Sequence, residues 1–206
     1  MSEGHASDDS ILYWPRQDIV VDDFDAAGYI LDIGGGGEGV IGQLKGDRVI
    51  AIDKQRRELD EAAPGGLKIV MDATDLKFLD STFQCATAFF SLMYIKDNDI
   101  DLVFGEAYRV LVPGGRFLIW DAVLPTRPDT DKDVVAVMLT VKLPGREIET
   151  GYGTPWPSEE RSSAYYAQSA QNAGFDVVAQ RPMDRLFYLE LRKPLRQHIS
   201  DSTGLR

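Results

Sequence analysis

The 206-residue sequence has one cysteine, Cys85, and two histidines, His5 and His198, each within nine residues of an end. One cysteine forms no internal disulfide and builds no cysteine-based zinc site. Histidines confined to the extremities argue against a Ser-His-Asp triad or a histidine-held catalytic metal, and no metal site is expected. No stretch approaches the roughly 20 uninterrupted apolar residues of a membrane span. The first ten residues, MSEGHASDDS, lack the basic and apolar regions of a signal peptide, so a cytoplasmic location is expected. Basic excess is also missing. Asp and Glu number 33 against 22 Lys and Arg, a net charge of −11, which excludes the electrostatic footprint of a nucleic-acid binder. The length suits one domain with a substantial core.

The acidity is uneven. Residues 1–25 hold seven acids and one base, Arg16, for a net −6. One reading makes residues 1–27 a solvated acidic arm. The other starts from Tyr13-Trp14-Pro15, an aromatic pair that needs burial and would fold part of the arm across a site.

From residue 28 to 192 short apolar runs alternate with helix-like stretches. Strands are expected over 29–33, 48–53, 67–71, 85–90 and 116–121, with helices over about 39–44, 55–63 and 99–111. Near-continuous apolar strands alternating with helices indicate a parallel sheet covered on both faces. Cys85 reads as a small core residue of the fourth strand. Within the insert 123–157, the β-branched run Val134–Leu143, the turn Pro144-Gly145 and a return over 146–153 predict a hairpin. A helix through Val134–Leu139 is the alternative. Ser158 fits a helix N-cap with Glu159 and Glu160 in the first turn, and that helix would run to about Asn172 with Gly174 at its exit. Two closing strands are expected over 175–180 and 185–191, followed by a polar tail from Lys193 to Arg206.

The segment Ile30-Leu-Asp-Ile-Gly-Gly-Gly-Gly-Glu-Gly-Val40 is the most informative. Four consecutive glycines between a strand and a helix let a ligand approach the main chain, at the strand ends where open parallel sheets bind ligands. Gly34, Gly36 and Gly39 satisfy G-x-G-x-x-G, with Asp53 about 20 residues on, which matches a dinucleotide fingerprint. Lys54-Gln55-Arg56-Arg57 would then meet a 2′-phosphate, or simply begin a solvated helix. Asp32 opposes this reading, because a carboxylate beside the loop suits a cation better than a pyrophosphate. Asp32, Asp53 and Asp72 end three strands, and in a parallel sheet those ends share one crevice.

These motifs, in this order, resemble the class I S-adenosylmethionine-dependent methyltransferases, in particular the small-molecule, type 11-like branch. The resemblance covers about residues 28–192 and implies a Rossmann-like three-layer α/β sandwich. Its sheet would be seven-stranded and mostly parallel, with a closing antiparallel strand and the inserted hairpin after the fifth strand. It implies S-adenosylmethionine as cofactor. Asp32, Gly34, Gly35 and Gly36 resemble the first motif, and Asp53 with Lys54 the ribose-binding strand end. Asp72 and Ala73 resemble the adenine-binding pair, and Ser91 lies where the family lines the cofactor with main chain. Glu38 stands where many members carry the last glycine of the loop, and Gln84 where an acid often begins the fourth strand.

Methyl transfer from a sulfonium releases a neutral thioether, so the leaving group needs no proton and histidine scarcity is compatible with it. A protic acceptor still calls for a base. Asp121, ending the fifth strand, and Tyr94 are the catalytic candidates, with Asp97 behind them. Met138, Tyr152 and Trp156 of the insert would form an apolar wall for a small-molecule acceptor. The bland alternative packs the hairpin on its own domain or on another subunit, and a homodimer is possible. An NAD(P)-dependent oxidoreductase and a non-catalytic S-adenosylmethionine-binding protein stay open as other functions.

Overall fold

A computed structural model describes residues 8–195 of the chain. His5 and His198 lie outside the described residues. Eleven strands and four helices follow in order: β1 (Ile11–Tyr13), β2 (Gln17–Val20), β3 (Ile30–Ile33), α1 (Val40–Lys45), β4 (Val49–Asp53), α2 (Arg56–Glu61), β5 (Leu67–Val70) and β6 (Phe83–Phe89). Then come α3 (Asp97–Val110), β7 (Leu111–Ala122), β8 (Val134–Leu143), β9 (Arg146–Pro155), α4 (Ser163–Ala173), β10 (Asp176–Met183) and β11 (Leu186–Arg192).

Seven strands form the main sheet in the order β10-β11-β7-β6-β3-β4-β5. The five from β7 to β5 pair in parallel, and β11 joins β7 antiparallel, with Phe187 opposite Asp121. Alternating residues of these strands enter two different cores, as the period of a strand requires. Leu31, Ile33, Ile52 and Ile119 pack against α3 and α4, while Ile30, Ala51, Leu118 and Trp120 pack on the opposite face. That second face is covered by Val40 and Ile41 of α1 and by the inward side chains Val135, Val137, Leu139 and Val141 of β8. Burial at every second residue of β8 decides strand over helix, and the Val134–Leu143 and Arg146–Pro155 ladder is the expected hairpin. Half of one covering layer is therefore a sheet rather than helices.

The N-terminal segment differs from a solvated leader. β1 and β2 both pair in parallel with β8, registering Ile11 with Val134 and Gln17 with Leu139. Pro15 falls in the break between them. Trp14 is buried at 6% exposure under the guanidinium of Arg185, so the aromatic pair does find burial. It does so on the hairpin, and among the described residues none of the arm lines the cavity set out below. The arm's acids are spent locally: Asp18 pairs with Lys142 at 2.6 Å, and Asp23 with Lys45.

Two expected boundaries move. Ser158 is not a helix cap; its hydroxyl bonds Asp97, and Ser162 caps α4 by accepting from the Tyr165 N–H. Gly174 does end α4, in a left-handed conformation. The fifth strand, expected from residue 116, already begins at Leu111 opposite Phe83, and Pro113-Gly114-Gly115 bulges within it. Among the described residues no helix is long and apolar enough to cross a membrane, and no group of acids, Cys and His is arranged to hold a metal.

Candidate active site

The strand ends of β3, β4 and β6 and the facing strand β9 enclose a cavity of about 720 Å³. Its floor is the glycine loop. Gly34 and Gly35 both donate their N–H to the Ile52 carbonyl, at 2.8 and 3.0 Å, and Gly37 donates to the Glu58 carbonyl at 2.9 Å. The Gly36 N–H donates to the Asp53 carboxylate. Four consecutive amides are thus consumed in stitching the loop to β4 and α2. The absence of side chains here is structural necessity as well as access. A Cβ on Gly35 would stand 2.6 Å from an Asp32 oxygen, and one on Gly36 2.5 Å from the Glu58 Cβ.

Phe90 shapes the opposite wall. It adopts a left-handed φ of 48°, uncommon for a bulky residue, and turns the chain off β6 while its N–H holds the Trp120 carbonyl at 2.8 Å. The turn brings Ser91 against Gly34, with its hydroxyl donating to the Ile33 carbonyl at 2.6 Å. Tyr152 of β9 stacks on Phe90, with ring centroids 5.2 Å apart and planes 10° from parallel.

Five carboxylates line this space, Asp32, Glu38, Asp53, Glu58 and Glu61, against one base, Lys54. Asp32 is 2% exposed and accepts from the Thr87 hydroxyl at 2.7 Å. Burial pushes its carboxyl up to about 7; the Thr87 bond opposes this and the nearby Asp53 charge adds to it. Burial also raises Asp53, against hydrogen bonds from Gln55, Gly36 and Lys54 amides. The donors that would meet a pyrophosphate are occupied and the field is negative, so the cavity fits a cationic ligand that also carries hydroxyls.

Residues 31–119 match the family described as methyltransferase domain. Sterol 4-C-methyltransferase strm-1 of Caenorhabditis elegans is 42% identical over 65 residues, which are 32% of this chain and 18% of that protein. The C-methyltransferase UbiE of ubiquinone and menaquinone biosynthesis from Pseudomonas putida is 30% identical over 129 residues, 55% of this chain and 49% of its own length. The chain therefore spans at most about half the length of these curated relatives. A S-adenosylmethionine-dependent methyltransferase from Methanosarcina mazei shares the fold, with TM-score 0.59, 17% identity and coverage of 84% of this chain and 95% of that one.

The structure brings together Asp32, Gly34, Gly35, Gly36, Asp53, Lys54, Ala73, Ser91 and Tyr94 around one cavity. It leaves two expected residues out. Asp72 does not line the cavity; it pairs with Lys54 at 2.7 Å and takes the Thr74 N–H at 3.0 Å. These contacts, the Lys54 bond foremost, hold its carboxyl down at about 2. Asp121 is 0% exposed and lies behind the wall, accepting the Met93 N–H at 3.1 Å and the Ala122 N–H at 2.8 Å. Burial raises it to about 7, and its hydrogen bonds hold the turn Leu92–Tyr94. Of the expected insert wall, only Tyr152 faces the cavity. Trp156 donates to the Lys132 carbonyl at 2.9 Å, and the Met138 sulfur lies over Gly151 on the strand.

Glu38 is the residue that sequence reasoning missed. Its carboxylate accepts from the Thr150 hydroxyl on one oxygen and from the Tyr152 hydroxyl, at 3.2 Å, on the other. Two residues on, the Thr154 hydroxyl donates to the Met93 carbonyl at 3.3 Å. Thr150, Tyr152 and Thr154 alternate along β9, so one face of the strand is bonded to both cofactor-side loops. A period-2 run of hydroxyl residues in the return strand was the available signal.

Proposed function

We propose that the chain is a methyltransferase that binds S-adenosylmethionine in this cavity and methylates a small-molecule acceptor by in-line displacement. The observation that carries the reading is the consumption of the glycine-loop amides by Ile52, Asp53 and Glu58 in a cavity lined by five carboxylates. A dinucleotide would place its pyrophosphate where the Gly34, Gly35 and Gly37 N–H groups are already taken. A sulfonium with an amino group and a ribose meets the charges that are present.

The side chains fit that ligand. The cradle at Gly35 and Gly36 leaves the Asp32 and Asp53 carboxylates uncovered on the cavity side. Asp32 would face the cationic end, Asp53 the ribose hydroxyls and the Ala73 backbone the adenine. When bound, the cofactor supplies an activated methyl group and a leaving group that needs no proton. The chain supplies orientation and water exclusion, through the loop below and the aromatic wall of Phe89, Phe90 and Tyr152 above. The relatives named for sterol and quinone methylation favour a small organic acceptor. Calorimetric titration with S-adenosylmethionine, S-adenosylhomocysteine and NADH tests the reading. Binding of NADH with neither sulfur ligand would overturn it.

Cofactor affinity should depend on pH through Asp32. In the empty protein this carboxyl keeps its proton up to about pH 7, and pairing with a cation requires that proton to leave. Each unit below 7 then costs about 1.4 kcal/mol, so Kd should rise about tenfold per unit as pH falls from about 7. Asp32→Asn should bind more weakly at pH 7 and lose the slope. A flat wild-type profile over that window would contradict the assignment. By the same linkage, the stability that Asp32 and Asp121 contribute to the empty protein is full below the ordinary value of 3.8. That contribution is lost as pH rises toward about 7.

A further inference from the structure

The strand β9 has an unpaired edge, and part of that edge belongs to the cavity. Among the described residues β9 pairs with β8 alone. In an antiparallel ladder alternate residues turn both N–H and C=O to the partner strand, and the residues between turn them away. Two bonds on the far side of β8 fix which residues do which. Ala136 accepts from the Trp14 N–H at 2.9 Å and Lys142 from the Val21 N–H at 3.0 Å, so the even residues of β8 face β1 and β2. The odd residues, Val137 and Leu139 among them, therefore face β9, opposite Tyr152 and Thr150. Gly151 and Gly153, lying between and beyond these, direct their main-chain groups off the edge. Both line the cavity, and having no side chains they line it with main chain. Nothing within the strand requires glycine there. Neither residue has a positive φ, and the β8–β9 register runs from Val134 opposite Pro155 to Leu143 opposite Arg146 without a bulge. A Cβ on Gly153 would meet nothing closer than Val134 at 3.5 Å, and one on Gly151 would crowd only the flexible end of Met138. Glycine inside a strand weakens it, and where no bulge or bend explains it, it marks a close approach by a ligand or another backbone.

We propose that the Gly151–Gly153 edge is the acceptor-binding strip of the cavity, and that it takes an acceptor carrying an extended peptide unit: an acylated amino acid or a short peptide. In one extended residue the N–H and the C=O point to the same side, so that residue meets the Gly151 C=O and N–H together, as an added strand does. A lone trans amide points its two groups in opposite directions and meets only one of them. Charge narrows the class. Five carboxylates line the cavity against Lys54, which repels a free terminal carboxylate and admits a peptide that is neutral or basic there. The Tyr152 ring, stacked on Phe90 with centroids 5.2 Å apart, gives the side chain of such a peptide an apolar surface beside the strip. The strip is distinct from the residues assigned to the cofactor, which lie on β3, β4 and the segments that follow them.

The inference rests on the methyltransferase reading, and its test keeps the two apart. Binding of S-adenosylhomocysteine is measured first; its absence sinks the cofactor reading, and the strip is then tested on the empty protein. N-acetyl-L-phenylalanine N-methylamide is titrated against its ester analogue, in which oxygen replaces the phenylalanine N–H, while nuclear magnetic resonance follows the backbone amides. The peptide is expected to bind about fivefold or more tighter than the ester, the worth of about one hydrogen bond. Its binding should shift the Gly151 amide and slow its hydrogen exchange about tenfold, while the Tyr152 amide, already turned to β8, changes little. Gly151→Pro removes only an outward N–H, so it should weaken both probes about fivefold and keep S-adenosylhomocysteine within about twofold. Glu149→Pro makes the same change on the same edge outside the cavity, and should leave peptide affinity within about twofold. Peptide binding that is absent, or no tighter than that of the ester, overturns the proposal. So does binding that leaves the Gly151 amide unchanged, or an equal loss in the two proline variants, which would mark the edge as merely structural.

Discussion

Asp53→Ala is expected to weaken S-adenosylmethionine binding about 100-fold while the protein stays folded. Asp53 ends β4 at the cavity edge, with one oxygen taken by the Gln55 N–H at 2.8 Å. Hydrogen bonds to an ionised carboxylate are each worth about 1.5–3 kcal/mol, and a ribose offers two hydroxyls. Water replaces part of that in the variant, leaving a net loss of about 3 kcal/mol, which is about 100-fold in Kd. S-adenosylhomocysteine carries the same ribose and should lose the same factor. Asp53→Asn keeps an acceptor for Gln55 and one for the ligand, so a smaller loss of about tenfold is expected. A calorimetric Kd within threefold of wild type for Asp53→Ala, with an unchanged melting temperature, would contradict the ribose role. An equal loss with a collapsed melting curve would point instead to the loop, because Asp53 also holds the Gly36 amide.

What the sequence shows clearly is whatever local physics dictates by itself. Ile30–Ile33 and Val49–Asp53 read as buried parallel strands because every residue is apolar except one acid at or next to the last position, and burial on both faces demands that. Four glycines in a row are legible because little else requires them. The hairpin is legible because Pro144-Gly145 separates two runs that fit a ladder. The less legible features depend on partners distant in sequence. The paired strands β1 and β2, Ile-Leu-Tyr and Gln-Asp-Ile-Val, are short and set in an acidic segment, and only the edge of β8 makes them strands. Asp72 resembles an adenine contact in sequence, yet Lys54 and Thr74 claim it. Asp121 reads as a base at a strand end, whereas α4 and the Leu92–Tyr94 turn seal it off. Glu38 reads as a departure from a glycine pattern; its meaning appears only when β9, more than 100 residues later, supplies Thr150 and Tyr152.

Arg161→Met is expected to cost about 3 kcal/mol of stability and to lower the melting temperature by about 6–12 °C. Arg161 is 5% exposed and sits in the segment before α4, where its backbone pairs with Leu124 at 2.8 and 3.0 Å. Its Nε donates to Asp97 at 3.1 Å, and its Nη1 to the Leu92 and Met93 carbonyls at 3.3 and 3.2 Å. Methionine fills much of the volume but takes the guanidinium donors away from two buried carbonyls and a carboxylate. Those losses, rather than the ion pair's own attraction, set the size of the effect. Arg161→Lys keeps the charge but not the planar fork, so it should recover about half. Asp97→Asn removes the orphaned charge, and the double variant with Arg161→Met should be less destabilised than the sum of the two singles. The Ser158 and Arg161 bonds hold the Asp97 carboxyl below its ordinary value, so this contribution is present near neutral pH and fades as pH falls through that lowered value. The turn that Arg161 holds also carries Tyr94, which gives the variant a second signature. Its melting temperature should fall while its affinity for S-adenosylhomocysteine, proposed to rest on β3 and β4, stays within about twofold. A melting temperature within 2 °C of wild type would show that the Leu92–Tyr94 turn stands without Arg161, and that Asp121 and Thr154 suffice to hold it.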